Sequence, residues 1–69
     1  MKPKFNITDW YVVQAASDND YTAAVALFLE WDDALAFAAS KARERHILIK
    51  YFQVVRYGNV CEVFSVEGK

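Results

Sequence analysis

Lys50-Tyr51-Phe52-Gln53-Val54-Val55-Arg56-Tyr57-Gly58-Asn59-Val60-Cys61-Glu62-Val63-Phe64-Ser65-Val66 reads as two strands and the turn between them. Aromatic and β-branched residues dominate both runs, which extend from Ile47 to Tyr57 and from Val60 to Glu67. Side chains of this shape suit a pleated, half-buried surface. Gly58-Asn59 is a two-residue loop with glycine at the first central position, as a type II′ turn requires. That turn sets Tyr57 opposite Val60, Val55 opposite Glu62, Gln53 opposite Phe64 and Tyr51 opposite Val66. The other face then holds Arg56 with Cys61, Val54 with Val63, Phe52 with Ser65 and Lys50 with Glu67.

Upstream of this hairpin the period changes. Leu35, Ala38, Ala39 and Ala42 follow i, i+3, i+4, i+7 spacing, which predicts a helix from about Asp32 to Arg45. Trp31-Asp32-Asp33 supplies an acidic N-cap and first turn, and Lys41, Arg43 and Arg45 load the opposite end with the sign the helix dipole prefers. Tyr21 to Glu30 carries three alanines that favour helix, but Tyr21, Thr22, Val25 and Phe28 and the turn before them favour a strand. Phe5 to Ala16, with Trp10-Tyr11-Val12-Val13 at its centre, is a further strand, and Ser17-Asp18-Asn19-Asp20 is the turn that ends it. The expected fold is α+β, a single domain over 1–69 in the order β-β-α-β-β, with an antiparallel sheet packed on one helix.

One helix covers one face of such a sheet. Charges on the face with Phe52, Val54, Cys61 and Val63 lie at its ends, whereas Gln53 and Glu62 interrupt the other, so the former is expected beneath the helix. Tyr51, Val55, Tyr57, Phe64 and Val66 then form an uncovered apolar patch, the usual mark of a partner or homodimer surface. Monomer and weak homodimer are both compatible with it.

The 69 residues are too few for two cores, and a domain this small is marginal unless its core is rich. Here 55% of residues are hydrophobic and 16% aromatic. Cys61 is the only cysteine and His46 the only histidine, which excludes an intrachain disulfide and leaves a zinc site short of ligands. Eight basic against nine acidic residues give a net charge of -1, without the basic excess of a general nucleic-acid or membrane-surface binder. The longest uncharged run, Tyr21 to Leu29, falls well short of the roughly 20 residues of a membrane span. No secretory core follows Met1-Lys2-Pro3-Lys4, so the chain reads as cytoplasmic and full length.

No catalytic, metal or cofactor constellation emerges. Asp18-Asn19-Asp20 lacks the central glycine of a calcium loop, and Leu29 stands where the closing glutamate would be. Helix capping accounts for Glu30, Asp32 and Asp33, and His46 suits a helix C-terminus. Cys61 within a strand reads as a small core residue. Lys50 to Tyr57 partly matches the RNA-recognition submotif, but Tyr51 and Gln53 occupy its small-residue places and the chain has no second helix to complete that fold.

The whole-chain plan combines a hairpin, a helix opened by Phe28-Leu29-Glu30-Trp31-Asp32-Asp33-Ala34-Leu35, and a second hairpin closed by Gly58-Asn59. In size and layout it resembles the small β-β-α-β-β proteins of phages and mobile elements, among them several anti-CRISPR proteins. The resemblance spans nearly the full length and rests on architecture, so it assigns no individual residue. It implies a non-enzymatic inhibitor acting in a bacterial cytoplasm, with a Cas surveillance complex as protein partner and steric occupation as its means. The alternative is a small nucleic-acid-binding regulator using Lys41, Arg43, Arg45, Lys50 and Arg56.

Overall fold

The computed structural model describes residues 9–17, 19, 21–44 and 46–66. Phe5 to Thr8 of the expected first strand, together with Asp18, Asp20, Arg45 and Glu67, lie outside them. The described chain runs β1 (Tyr11–Ser17), β2 (Thr22–Phe28), α1 (Trp31–Arg43), β3 (Ile49–Arg56) and β4 (Asn59–Ser65). The expected α+β order is therefore the observed one.

All four strands form one antiparallel sheet in the order β2-β1-β3-β4. Because β1 pairs antiparallel with both β2 and β3, those two run parallel with β1 between them, and α1 is the crossover that joins them. A crossover must lie against a face of its sheet, which places α1 over all four strands on one side. At the first turn Ser17 supplies the local chemistry: its Oγ accepts from the amides of Asn19 (3.3 Å) and Tyr21 (3.2 Å).

Helix α1 begins one residue earlier than its acidic pair suggests. Glu30 occupies the cap position with extended backbone but makes no side-chain cap bond, so Asp32 and Asp33 act from the first turn through the helix dipole alone. Its buried stripe is Ala34, Ala38 and Ala42, one turn apart. The expected Leu35 and Ala39 only flank that stripe, half-buried.

The core joins Ala34 and Ala38 to Val13 and Ala15 of β1 and Phe52 and Val54 of β3, with Tyr11, Phe28, Trp31, Phe37, Ile49 and Phe64 packed around them. Tilted ring pairs close its margins, Tyr11 with Trp31 at 5.4 Å and Phe28 with Phe37 at 5.3 Å. Alanine is what permits this close approach of helix to sheet. Replacing the fully buried Ala38 by leucine should therefore cost about 1 to 3 kcal/mol through overpacking, whereas Ala36→Leu on the exposed face should stay within about 0.5 kcal/mol. Urea denaturation of the two variants checks the pair.

The second hairpin departs from the expected register. Tyr57 (φ 55°) and Gly58 (φ 77°) are its central residues, and positive φ at both is the mark of a type I′ turn. Arg56 therefore faces Asn59 and Val55 faces Val60. Cys61 then bulges, and the ladder continues as Val54 with Glu62, Gln53 with Val63, Phe52 with Phe64 and Tyr51 with Ser65. Moving the turn back by one residue shifts the pairing by two, which keeps every face, and the extra residue at Cys61 takes one of these back, so from Glu62 onward β4 lies one residue from the expected pairing and is turned over.

Phe64 and Val66 consequently belong to the helix side. Phe64 packs on the core and Val66 is buried, its amide bonded to the Lys50 carbonyl at 3.0 Å. Cys61 and Val63, expected beneath the helix, are exposed instead. Left-handed backbone at a tyrosine costs about 1 to 3 kcal/mol. Burying Phe64 and Val66 returns about 1.5 to 3 kcal/mol each, so the slipped register wins.

Candidate functional site

No described element covers the sheet face opposite α1. Alternation along the strands puts Val12, Leu27, Tyr51, Val55, Val60 and Val63 on it, with Gln14 and Gln53 at the centre. The two glutamines face each other across β1 and β3, and Gln53 Nε2 donates to Gln14 Oε1 at 2.6 Å. The bond engages one donor of Gln53 and the oxygen of Gln14, which orients the pair, and the residues around them are aliphatic or aromatic. Val60 (53% exposed), Val63 (48%) and Leu27 (41%) are the most open members. Tyr51 and Val55 are half-buried, each held between β1 and β4 neighbours.

Of the five residues expected on this surface, Tyr51 and Val55 lie on it, Tyr57 is exposed at the hairpin tip against Arg56, and Phe64 and Val66 belong to the helix side. Val60 and Val63 take their places. Val60 lies on the face that its expected pairing with Tyr57 gave it, whereas Val63, expected on the helix side, reaches this face through the bulge at Cys61.

Tyr57 stands at the hairpin tip, 58% exposed in its left-handed conformation. The Arg56 guanidinium lies 4.9 Å from its ring centroid and 4.5 Å from that of Tyr11, and donates to the Tyr11 hydroxyl (2.8 Å) and the Asp9 carbonyl (3.4 Å). An arginine stacked on two tyrosines holds the tip as one rigid unit. Strained backbone and a fixed, exposed aromatic together suit a binding anchor.

This arrangement also breaks up the basic surface. Arg56 and Lys50 are six residues apart on β3, about 20 Å. Arg56 serves the tyrosines at one end of the sheet, while Lys41 and Arg43 sit in the last turn of α1 at the other. Lys41 is further engaged with Glu44 at 3.6 Å, and Arg45 lies outside the described residues. Among the described residues, Arg56 therefore stands apart from Lys41, Arg43 and Lys50, and the four do not form one phosphate-tracking strip.

His46 does what its position after α1 suggests. Its Nε2 lies 2.7 Å from the Lys41 carbonyl, satisfying a helix-end acceptor, and its ring packs 5.1 Å from Phe52. Cys61, expected in the core, is exposed at the bulge with Sγ 3.6 Å from the Asn59 carbonyl. Among the described residues no group of three or more His, Cys, Asp or Glu side chains could hold a metal ion, and no helix is long and apolar enough to cross a membrane. No family model, curated protein or solved structure matches the chain.

Proposed function

We propose that the chain is a non-enzymatic inhibitor of the anti-CRISPR type, which acts in a bacterial cytoplasm by docking its open sheet face on a Cas surveillance complex and blocking it sterically. The observation that carries this reading is the uncovered face of Tyr51, Val55, Val60 and Val63, whose central glutamines bond to each other, with Tyr57 exposed at the tip of the same hairpin. Such a surface offers a partner apolar area around one internally bonded glutamine pair, and tyrosine and arginine are frequent anchors of interfaces. The anti-CRISPR assignment adds the resemblance in size and strand-helix order. The dispersal of Arg56 from Lys41, Arg43 and Lys50 speaks against phosphate binding as the alternative.

The test is capture and inhibition of purified Cas surveillance complexes, with the affinity followed from 50 to 500 mM salt. Apolar docking should change it by less than about threefold, whereas three phosphate contacts would weaken it by two to three orders of magnitude, roughly. Steep salt dependence would overturn the docking mode. Failure to bind or inhibit any such complex would overturn the anti-CRISPR assignment.

A further inference from the structure

On the helix side, away from the docking face, the core leaves a cleft of about 330 Å³ lined by Ala15, Val25, Phe37, Lys41, His46, Ile49 and Phe52. Its origin is local. In the β1–β2 ladder Val13 faces Ala26 and Gln14 faces Ala24, so Val25 bulges from the edge strand, and the next pair on the helix side is Ala15 with Ala23. Two alanines below and an alanine stripe above cannot fill the space beside the Phe37 ring. Phe52, buried to 2% exposure, forms the floor. The His46 ring is fixed at one end by its contact with Phe52 and its bond to the Lys41 carbonyl.

We propose that this cleft binds a small aromatic carboxylate. Its volume is at the lower end of the range of ligand sites and roughly twice the 150 Å³ or so that holds benzene, which corresponds to about a dozen non-hydrogen atoms. Three rings, of Phe37, His46 and Phe52, favour a planar occupant over a flexible chain. Among the described residues that line the cleft the one cation is Lys41, whose Nζ lies 5.6 Å from the Phe37 ring centroid and 3.6 Å from Glu44 Oε2. Both partners of that ion pair are substantially exposed, so it is weak and a ligand carboxylate replaces Glu44 at little cost. An apolar hollow with a single ammonium at its rim selects an anion with a hydrophobic body.

The probes are naphthoate, the neutral naphthamide of the same size, and the cation naphthylmethylammonium, each titrated into the full chain and followed by amide and methyl NMR. Naphthoate should bind with a dissociation constant of about 1 mM or tighter, shifting Val25, Phe37, His46 and Phe52. The amide should bind at least about fivefold more weakly, and the cation more weakly still. Lys41→Met should remove the preference for the carboxylate while leaving the amide unaffected, and Lys41→Arg should keep it. Val25→Phe, at a half-exposed position, should fill the cleft and abolish binding of all three without unfolding the chain. Equal binding of the three probes, shifts confined to Val60 and Val63 on the opposite face, unchanged binding to Val25→Phe, or no naphthoate binding at 5 mM, roughly five times the expected constant, each overturns the proposal. None of these outcomes bears on the docking face, which lies on the other side of the sheet.

Discussion

Phe52→Ala is expected to remove a large part of the chain's folding stability. The side chain is 2% exposed, faces Ala15 on one side and Phe64 on the other, and supports the His46 ring. Removing a buried phenylalanine costs about 3 to 5 kcal/mol, because the cavity adds to the lost transfer energy. At about 0.05 to 0.15 kcal/mol per residue, a chain of this length has a total stability of roughly 3 to 10 kcal/mol. The surrounding alanines, already at minimum size, have little freedom to close the gap. Tyr51→Ala, on the half-buried opposite face, should cost clearly less. Denaturant titration together with the spread of methyl resonances measures both, and a larger loss for Tyr51→Ala would contradict the assignment of the two faces.

The second large effect concerns binding without loss of fold. Tyr57→Asn replaces a strained, exposed anchor by the residue type that a type I′ turn prefers ahead of glycine. Release of backbone strain offsets the lost stack on Arg56, so stability should stay within about 1 kcal/mol of the parent. Partner capture should nevertheless weaken at least tenfold, a loss of about 1.4 kcal/mol. Val63→Glu should do the same by placing an unpaired charge on the docking face beside its central glutamines, at a position open enough to leave the fold intact. Joint replacement of Lys41, Arg43 and Lys50 by glutamine should have the smaller effect. If the triple variant loses activity while Tyr57→Asn and Val63→Glu keep it, the working surface is the basic helix end and not the sheet.

What can be read along the chain and what cannot separate cleanly at β4. The change of hydrophobic period at Trp31, the turn residues after Ser17 and the glycine at 58 are local signals, and each is sufficient to place a boundary within a residue or two. They establish the β-β-α-β-β order, and alternation alone puts Phe52 and Val54 on one face. The crossover from β2 over β1 to β3 follows from strand pairing that no local signal specifies.

The faces of β4 are another matter. Tyr57-Gly58-Asn59 accommodates two turns one residue apart that give β4 the same faces, and what reverses the strand from Glu62 onward is the bulge at Cys61, which no local signal announces. The choice falls to residues distant in sequence: the Phe52 and α1 surfaces gain more from Phe64 and Val66 than from Cys61 and Val63. Arg56 likewise reads as one more cation until the pairing of β1 with β3 brings it to Tyr11, 45 residues away. By itself the sequence determined which segments are strands and which is the helix, because period and turn chemistry act over a few residues. Which side chains remain exposed for a partner was decided by the tertiary structure, because a period of two makes a one-residue slip reverse every side chain, and only non-local burial distinguishes the two registers.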